Sequence, residues 1–278
     1  MNAIEPLDPT SATLLEDVQG RPDTRCIAID RVGIRGLCHP VRVRARSGQV
    51  QATVARWSLS VGLSATVKGA HMSRFAELVN AIDEPLDTAA FRRLEAEMRR
   101  RLEAPTGRIE MRFPWFHEKR APVSRAKSLL DIDAAWIAET GADGVSRLEL
   151  EVVVPVTSLC PSSKAIADYG AHNQRTHVTI RAEAGPQLCL EDLVDIAEAQ
   201  ASAELYAVLK RADEKYVTER AYDHPKFVED LVRDLALALT SHPQVEAFFV
   251  ACENFESIHN HSAYAELRGR GGRAEAAA

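Results

Sequence analysis

The sequence predicts an α+β fold: an antiparallel sheet with helix pairs on one face, built from two tandem ββααββ units. Three observations predict it. Segments with a two-residue apolar period alternate with segments of helical period. The helical segments come in pairs, each flanked by two extended segments before and two after. The same order of elements occurs twice, without a letter-for-letter repeat. Runs of strands with helices grouped together are the pattern of a sheet covered on one face.

The elements follow in order. Residues 31–45 and 51–63 read as strands. In the second, Thr53, Ala55, Trp57, Leu59 and Val61 fall on one face, and Arg56, Ser58 and Ser60 on the other. Helices are expected over 72–82 and 87–103, with Asp87 as N-cap of the latter. Strands follow at 108–116 and around 126–138. The second round places strands at 146–159 and 174–184, helices at 190–212 and 224–241, and strands at 244–254 and 262–267. Residues 25–140 thus form the first unit and 141–268 the second. Residues 1–24, which hold Pro6, Pro9, Gly20 and Pro22, read as an N-terminal arm, and 269–278 as a disordered tail. A sheet with one covered face keeps two open edges, which predicts closure by another subunit.

Composition narrows the function. The chain has 278 residues, 46% hydrophobic and 27% charged, an ordinary globular balance. A net charge of -6 argues against a general nucleic-acid or membrane binder, since both need broad basic faces. The five cysteines are scattered, with no CxxC, and no 18-residue apolar run occurs. The expected setting is the cytoplasm, with reduced thiols.

Four stretches gather metal-capable and titratable residues: Cys160 to His172; 212–230, with Glu214 and Glu229; 253–265, with His259 and His261; and 116–127, with five basic residues in twelve. A thiol and an imidazole twelve apart suit a metal that keeps one position open for chemistry. Spacing alone favours the plainer reading, a strand-end thiol and a turn-capping histidine. His259 and His261, if extended, share a side ~7 Å apart, as ligands, proton shuttles or polar loop residues. Glu214 reads as a helix N-terminal cap. Glu229 borders the stripe Val228, Leu231, Val232, Leu235 and Leu239, and an exposed pair with Arg233 is its plain explanation. The basic run reads as a solvated loop or a triphosphate cradle.

Taken together the stretches are more specific. "PVTSLCPSSKAIADYGAHNQR", "DEKYVTERAYDHPKFVEDLVRD" and "ENFESIHNHSAYAEL", with "VARWSLSVGL", "VKGAHMSRF" and "KRAPVS" in the first half, closely resemble the type IB GTP cyclohydrolase I family over roughly 30–268. The resemblance implies a tunnelling fold and a homotetramer with active sites at subunit interfaces. It implies conversion of GTP and water to 7,8-dihydroneopterin triphosphate and formate, the first step of tetrahydrofolate synthesis. Archaeal relatives are thought to give a cyclic phosphate, and a catalytically silent purine- or pterin-binding oligomer is a further alternative.

The same resemblance implies one divalent metal, zinc, manganese or ferrous iron, on Cys160, His172 and Glu214, activating water for attack at guanine C8. His259 and His261 would move protons. Glu229 would accept the adjacent N1–H and 2-amino donors of guanine. Lys68, His71, Arg74, Lys119, Arg120, Lys164, Arg175, Lys215 and Arg220 are the phosphate candidates. One departure stands out: many relatives read "CPCSK", and Ser162 here replaces the second cysteine, which removes a four-ligand site with two thiolates.

Overall fold

The computed structural model describes residues 17–272. Eight strands, β1 (Ile29–Arg44), β2 (Val50–Leu63), β3 (Gly107–Arg120), β4 (Lys127–Thr140), β5 (Ser146–Leu159), β6 (Asn173–Ala184), β7 (Val245–Phe255) and β8 (Ser262–Arg270), form one sheet in sequential order. Every neighbouring pair is antiparallel. Helices α1 (Met72–Asn80) and α2 (Thr88–Arg101) lie between β2 and β3. Between β6 and β7 come α4 (Leu190–Gln200), α5 (Arg211–Asp223) and α6 (Val228–Ser241), and a short α3 (Pro161–Ile166) links β5 to β6. The order is therefore ββααββ twice, with α3 and α5 added to the second round.

Side-chain alternation explains why the helices sit on one face. Ala55, Trp57, Leu59 and Val61 of β2 are buried, as are Ile109, Met111, Phe113 and Trp115 of β3 and Leu148, Leu150, Val152, Val154 and Val156 of β5. These join one cluster with Phe75, Leu78 and Val79 of α1, Phe91 and Met98 of α2, Leu193 and Val194 of α4, and Leu231, Leu235 and Leu239 of α6. Period-two rows thus meet 3.6-period stripes across a single interface. The opposite face is polar: Arg31, Arg108, Glu110, Arg112, Glu139, Glu151 and Arg181 form a chain of ion pairs across the strands.

Asp87 caps α2 as its sequence predicts, accepting from Ala90 N at 2.7 Å. Three expectations are corrected. The helix expected over 190–212 stops at Gln200, because Ala203 exchanges backbone hydrogen bonds with Thr157 of β5. That segment becomes a short strand partner rather than helix, and a new helix, α5, begins at Arg211. α3 occupies part of 160–173, where no helix is expected between the strands at 146–159 and 174–184, with Pro161 in its first turn. β8 runs through Arg270, two residues into the expected tail.

Of the expected N-terminal arm, 1–16 lie outside the described residues, as do 273–278 of the tail. Residues 17–24 are held against the loop before α1. Asp23 N donates to Thr66 O, Lys68 N to Arg21 O, and Gln19 Nε2 to Ala70 O.

Phe91 is a keystone of the core between α2 and the sheet. It is fully buried, with ring centroids 6.1 Å from Trp57 and 5.6 Å from Trp136. Phe91→Ala should cost about 3–5 kcal/mol of unfolding free energy, read by chemical denaturation. A loss below ~1 kcal/mol would contradict this packing.

Candidate active site

The β5–β6 ladder brings Cys160 and His172 together. Its last strand pair is Leu159 with Asn173. One step further, Cys160 N donates to His172 O at 3.1 Å. Twelve residues apart in sequence, the two are therefore cross-strand neighbours at one end of the sheet. Cys160 is also the N-cap of α3, its Sγ accepting from Ser163 N at 3.4 Å. Ser163 fastens the pair a second time: its hydroxyl accepts from His172 N and donates to Cys160 O, both at 3.2 Å.

The imidazole is oriented as well as placed. His172 Nδ1 lies 3.1 Å from Oε1 of buried Gln174 and 3.4 Å from Oγ of Ser257. With Nδ1–H donated to the amide oxygen, Nε2 keeps its lone pair free for a metal. Ser257 belongs to the β7–β8 turn, so this contact draws the turn that carries His259 and His261 toward His172. Those two rings stack with centroids 5.3 Å apart, an arrangement of a tight turn and not of an extended strand.

α5 packs beside this end of the sheet. Val217 and Ala221 join Leu159, Ala203 and Ala171 in a small separate cluster. Glu214, exposed in the first turn of α5, is three residues before Val217 and seven before Ala221, on the same helix face. It therefore sits inside the helix and not before it. Among the described residues, no three His, Cys, Asp or Glu side chains of one chain are grouped to hold a metal. Cys160 and His172 are backbone neighbours, and Glu214 is on the adjoining helix α5.

The other predicted residues are dispersed. Glu229 lies exposed in the first turn of α6, and Arg233 pairs with Asp230 at 3.7 Å instead of with it. Lys164 of α3 donates to Tyr222 O and lies 4.1 Å from the Tyr222 ring centroid. Arg175 is exposed on β6. Lys215 pairs with Glu219, Arg120 with Glu118, and His71 at the start of α1 with Asp17. Arg74 donates to Arg101 O. Arg220 has a buried Nε with no hydrogen-bond partner among the described residues. Ser162 is exposed on α3.

Lys119 is not a free phosphate ligand. Its ammonium is buried between Glu198 of α4 and Glu204, and Tyr206 donates to Glu204 at 2.9 Å. Burial alone would raise Glu204, but the Lys119 ammonium outweighs it and holds that carboxyl below its ordinary value. Burial pushes Glu198 up to about 7, against the pull of Lys119. Two other thiols are held protonated: burial pushes Cys252 up to about 12, and partial burial with the Asp192 contact does the same to half-buried Cys189.

Sequence reasoning missed Ser163, Gln174 and Asp213. Gln174, two residues from His172 in an extended segment, was readable as its same-face neighbour. Asp213 was hidden because its helix was misplaced.

Fold and site together define an α+β protein whose antiparallel sheet presents an oriented thiol–imidazole pair at one end. The chain belongs to the family described as GCHY-1, type I GTP cyclohydrolase folE2, whose sequence pattern matches residues 15–265. It is 55% identical over 255 residues to GTP cyclohydrolase FolE2 1 of Dechloromonas aromatica, covering 92% of this chain and 96% of that protein. It is 56% identical over 251 residues to GTP cyclohydrolase FolE2 of Methylococcus capsulatus, covering 90% and 93%. Among solved structures, a hyperthermostable mutant of the Bacillus sp. TB-90 urate oxidase shares the fold, with a TM-score of 0.50 and 8% identity over 87% of this chain and 98% of that one.

The Glu198 proton gives a stability test. Folded Glu198 holds its proton to higher pH than the ordinary 4.5. Its contribution is therefore full below 4.5 and is lost as pH rises through about 7. Melting temperatures of the wild type should fall relative to Glu198→Gln between about pH 5 and about pH 8. Parallel melting curves across that range would contradict the assignment.

Proposed function

We propose that this chain is a metal-dependent GTP cyclohydrolase of type IB that hydrolyses GTP at guanine C8, giving 7,8-dihydroneopterin triphosphate and formate. Family membership supports the reaction class. The observation that carries the site is the backbone-bonded, side-chain-oriented pair Cys160 and His172. We assign Cys160, His172 and Glu214 as the ligands of one divalent metal: zinc, manganese or ferrous iron. The set mixes soft, borderline and hard donors, which suits all three. When bound, the metal supplies water activated near neutral pH.

The chain's own groups do the rest. His259 and His261, on the turn held to His172 through Ser257, are placed to shuttle protons to and from the opening imidazole ring. Glu229 accepts the N1–H and 2-amino donors of guanine, and its lack of any ion pair or hydrogen bond among the described residues leaves the carboxylate free for this. Lys164, Arg175, Lys215, Arg220, His71 and Arg120 remain the triphosphate set, those distant from Cys160 acting from a neighbouring subunit.

Assembly follows from the same reading. A tunnelling fold closed into a homotetramer would cover the open edges β1 and β8. It would also bury apolar side chains beside the site that a single chain leaves exposed: Ile166 at 81%, Tyr169 at 94% and Ile258 at 64%. None of the helices in the described residues is long and apolar enough to cross a membrane. The proposed setting is the cytoplasm, in keeping with five free cysteines.

The test incubates metal-reconstituted protein with GTP and measures formate, oxidised-pterin fluorescence and product mass. Formate and a linear triphosphate are expected, and Cys160→Ala should abolish both. Glu229→Gln, which swaps one acceptor for a donor, should cost ~1–3 kcal/mol, roughly 5- to 150-fold in kcat/KM. Absence of both products with zinc, manganese and iron alike would refute the proposal.

A further inference from the structure

Asp213 is fully buried, and its hydrogen-bond donors among the described residues are backbone amides and a serine hydroxyl, with no ion pair. An isolated carboxylate in that position is costly unless hydrogen bonds replace its water. Four do. Oδ1 accepts from Val123 N and Ser124 N, both at 2.8 Å. Oδ2 accepts from the Ser124 hydroxyl at 2.6 Å and from Lys210 N at 2.8 Å. Both oxygens are saturated, and every donor comes from one of two places.

Lys210 N is the N-cap amide of α5, so that bond closes the helix's first turn. Val123 and Ser124 form the tip of the β3–β4 hairpin, 90 residues earlier in the chain. The tip is itself a closed turn, with Ala121 N bonded to Ala126 O and Arg125 N to Ala121 O, and Ala121 fully buried. One side chain therefore ties the first unit's hairpin to the start of the second unit's α5. The next residue along that turn is Glu214, whose own amide donates to Lys210 O at 2.9 Å.

We propose that Asp213 is a positioning residue for Glu214: by locking the first turn of α5 onto the 121–126 hairpin tip, it fixes the height and rotation at which Glu214 is presented as a ligand. The inference rests on the metal assignment made above. A carboxylate is needed because it offers acceptors only. Asparagine would turn an amide N–H₂ toward two of the four donors. Ser124 contributes two of the four bonds and is the second half of the device.

The experiment strips the full-length protein of metal, titrates it with cobalt(II), and reads visible absorption together with competition against a chromophoric chelator. Glu214→Ala serves as the reference. Ser124→Ala, which keeps three of the four bonds and so preserves the fold, should weaken cobalt binding about tenfold, the low end for groups that orient ligands. Ser124→Thr, which keeps the hydroxyl, should bind as the wild type does. Asp213→Asn should weaken binding by up to about 100-fold. Wild-type affinity in Ser124→Ala, with Glu214→Ala impaired, would overturn the positioning role and leave the metal assignment standing. Equal losses in Ser124→Ala and Ser124→Thr would also overturn it. Wild-type affinity in Glu214→Ala would instead overturn the metal assignment itself.

Discussion

The register of β5 against β6 is the constraint on which the site depends. Antiparallel pairing from Glu149–Glu183 to Leu159–Asn173 leaves one more step, and that step is Cys160 to His172. A slip of one residue would move every side chain of β6 to the opposite face. Val178, Ile180, Ala182 and Ala184 would leave the core, so burial across the sheet holds the register that places the pair. The placement of Cys160 beside His172 is thus a by-product of core packing, fastened by Ser163 and Gln174.

The second round of elements departs from the first between α4 and α6. Its first helix is cut short at Gln200 because β5 recruits Ala203. The following segment carries Glu204 and Tyr206 to the buried Lys119 ammonium. α5 then starts afresh and lies along Leu159. The β3–β4 hairpin meets this region twice, through Lys119 and through the Asp213 contacts. A basic motif that reads as a phosphate cradle is divided: Lys119 is consumed internally, and Arg120 stays at the surface.

Most of the fold was legible because it is written in periodicity. The alternation in 51–63 named the buried face of β2 correctly, and Asp87 capped its helix. The break at Gln200 was not legible, since "ASAELYAVLK" has good helix formers and the bond that ends the helix comes from a strand 46 residues earlier. Local propensity is overridden there by a tertiary partner. For the site, the resemblance named Cys160 and His172, and the geometry explains how they meet. Spacing alone could not, because cross-strand adjacency depends on the length of the intervening turn and α3. Glu229 reads as half of an i,i+4 pair, but Arg233 turns to Asp230 instead. Asp213 carries no sequence signal of its own: Lys210 at the N-cap is not a capping residue type, so no capping signature marks the start of α5.

X-ray absorption at the metal edge of zinc-loaded, full-length protein tests the central assignment most directly. The account predicts one sulfur scatterer at ~2.3 Å with nitrogen and oxygen scatterers at ~2.0–2.2 Å, the sulfur shell vanishing in Cys160→Ser. A shell of nitrogen and oxygen alone in the unmodified protein would contradict it.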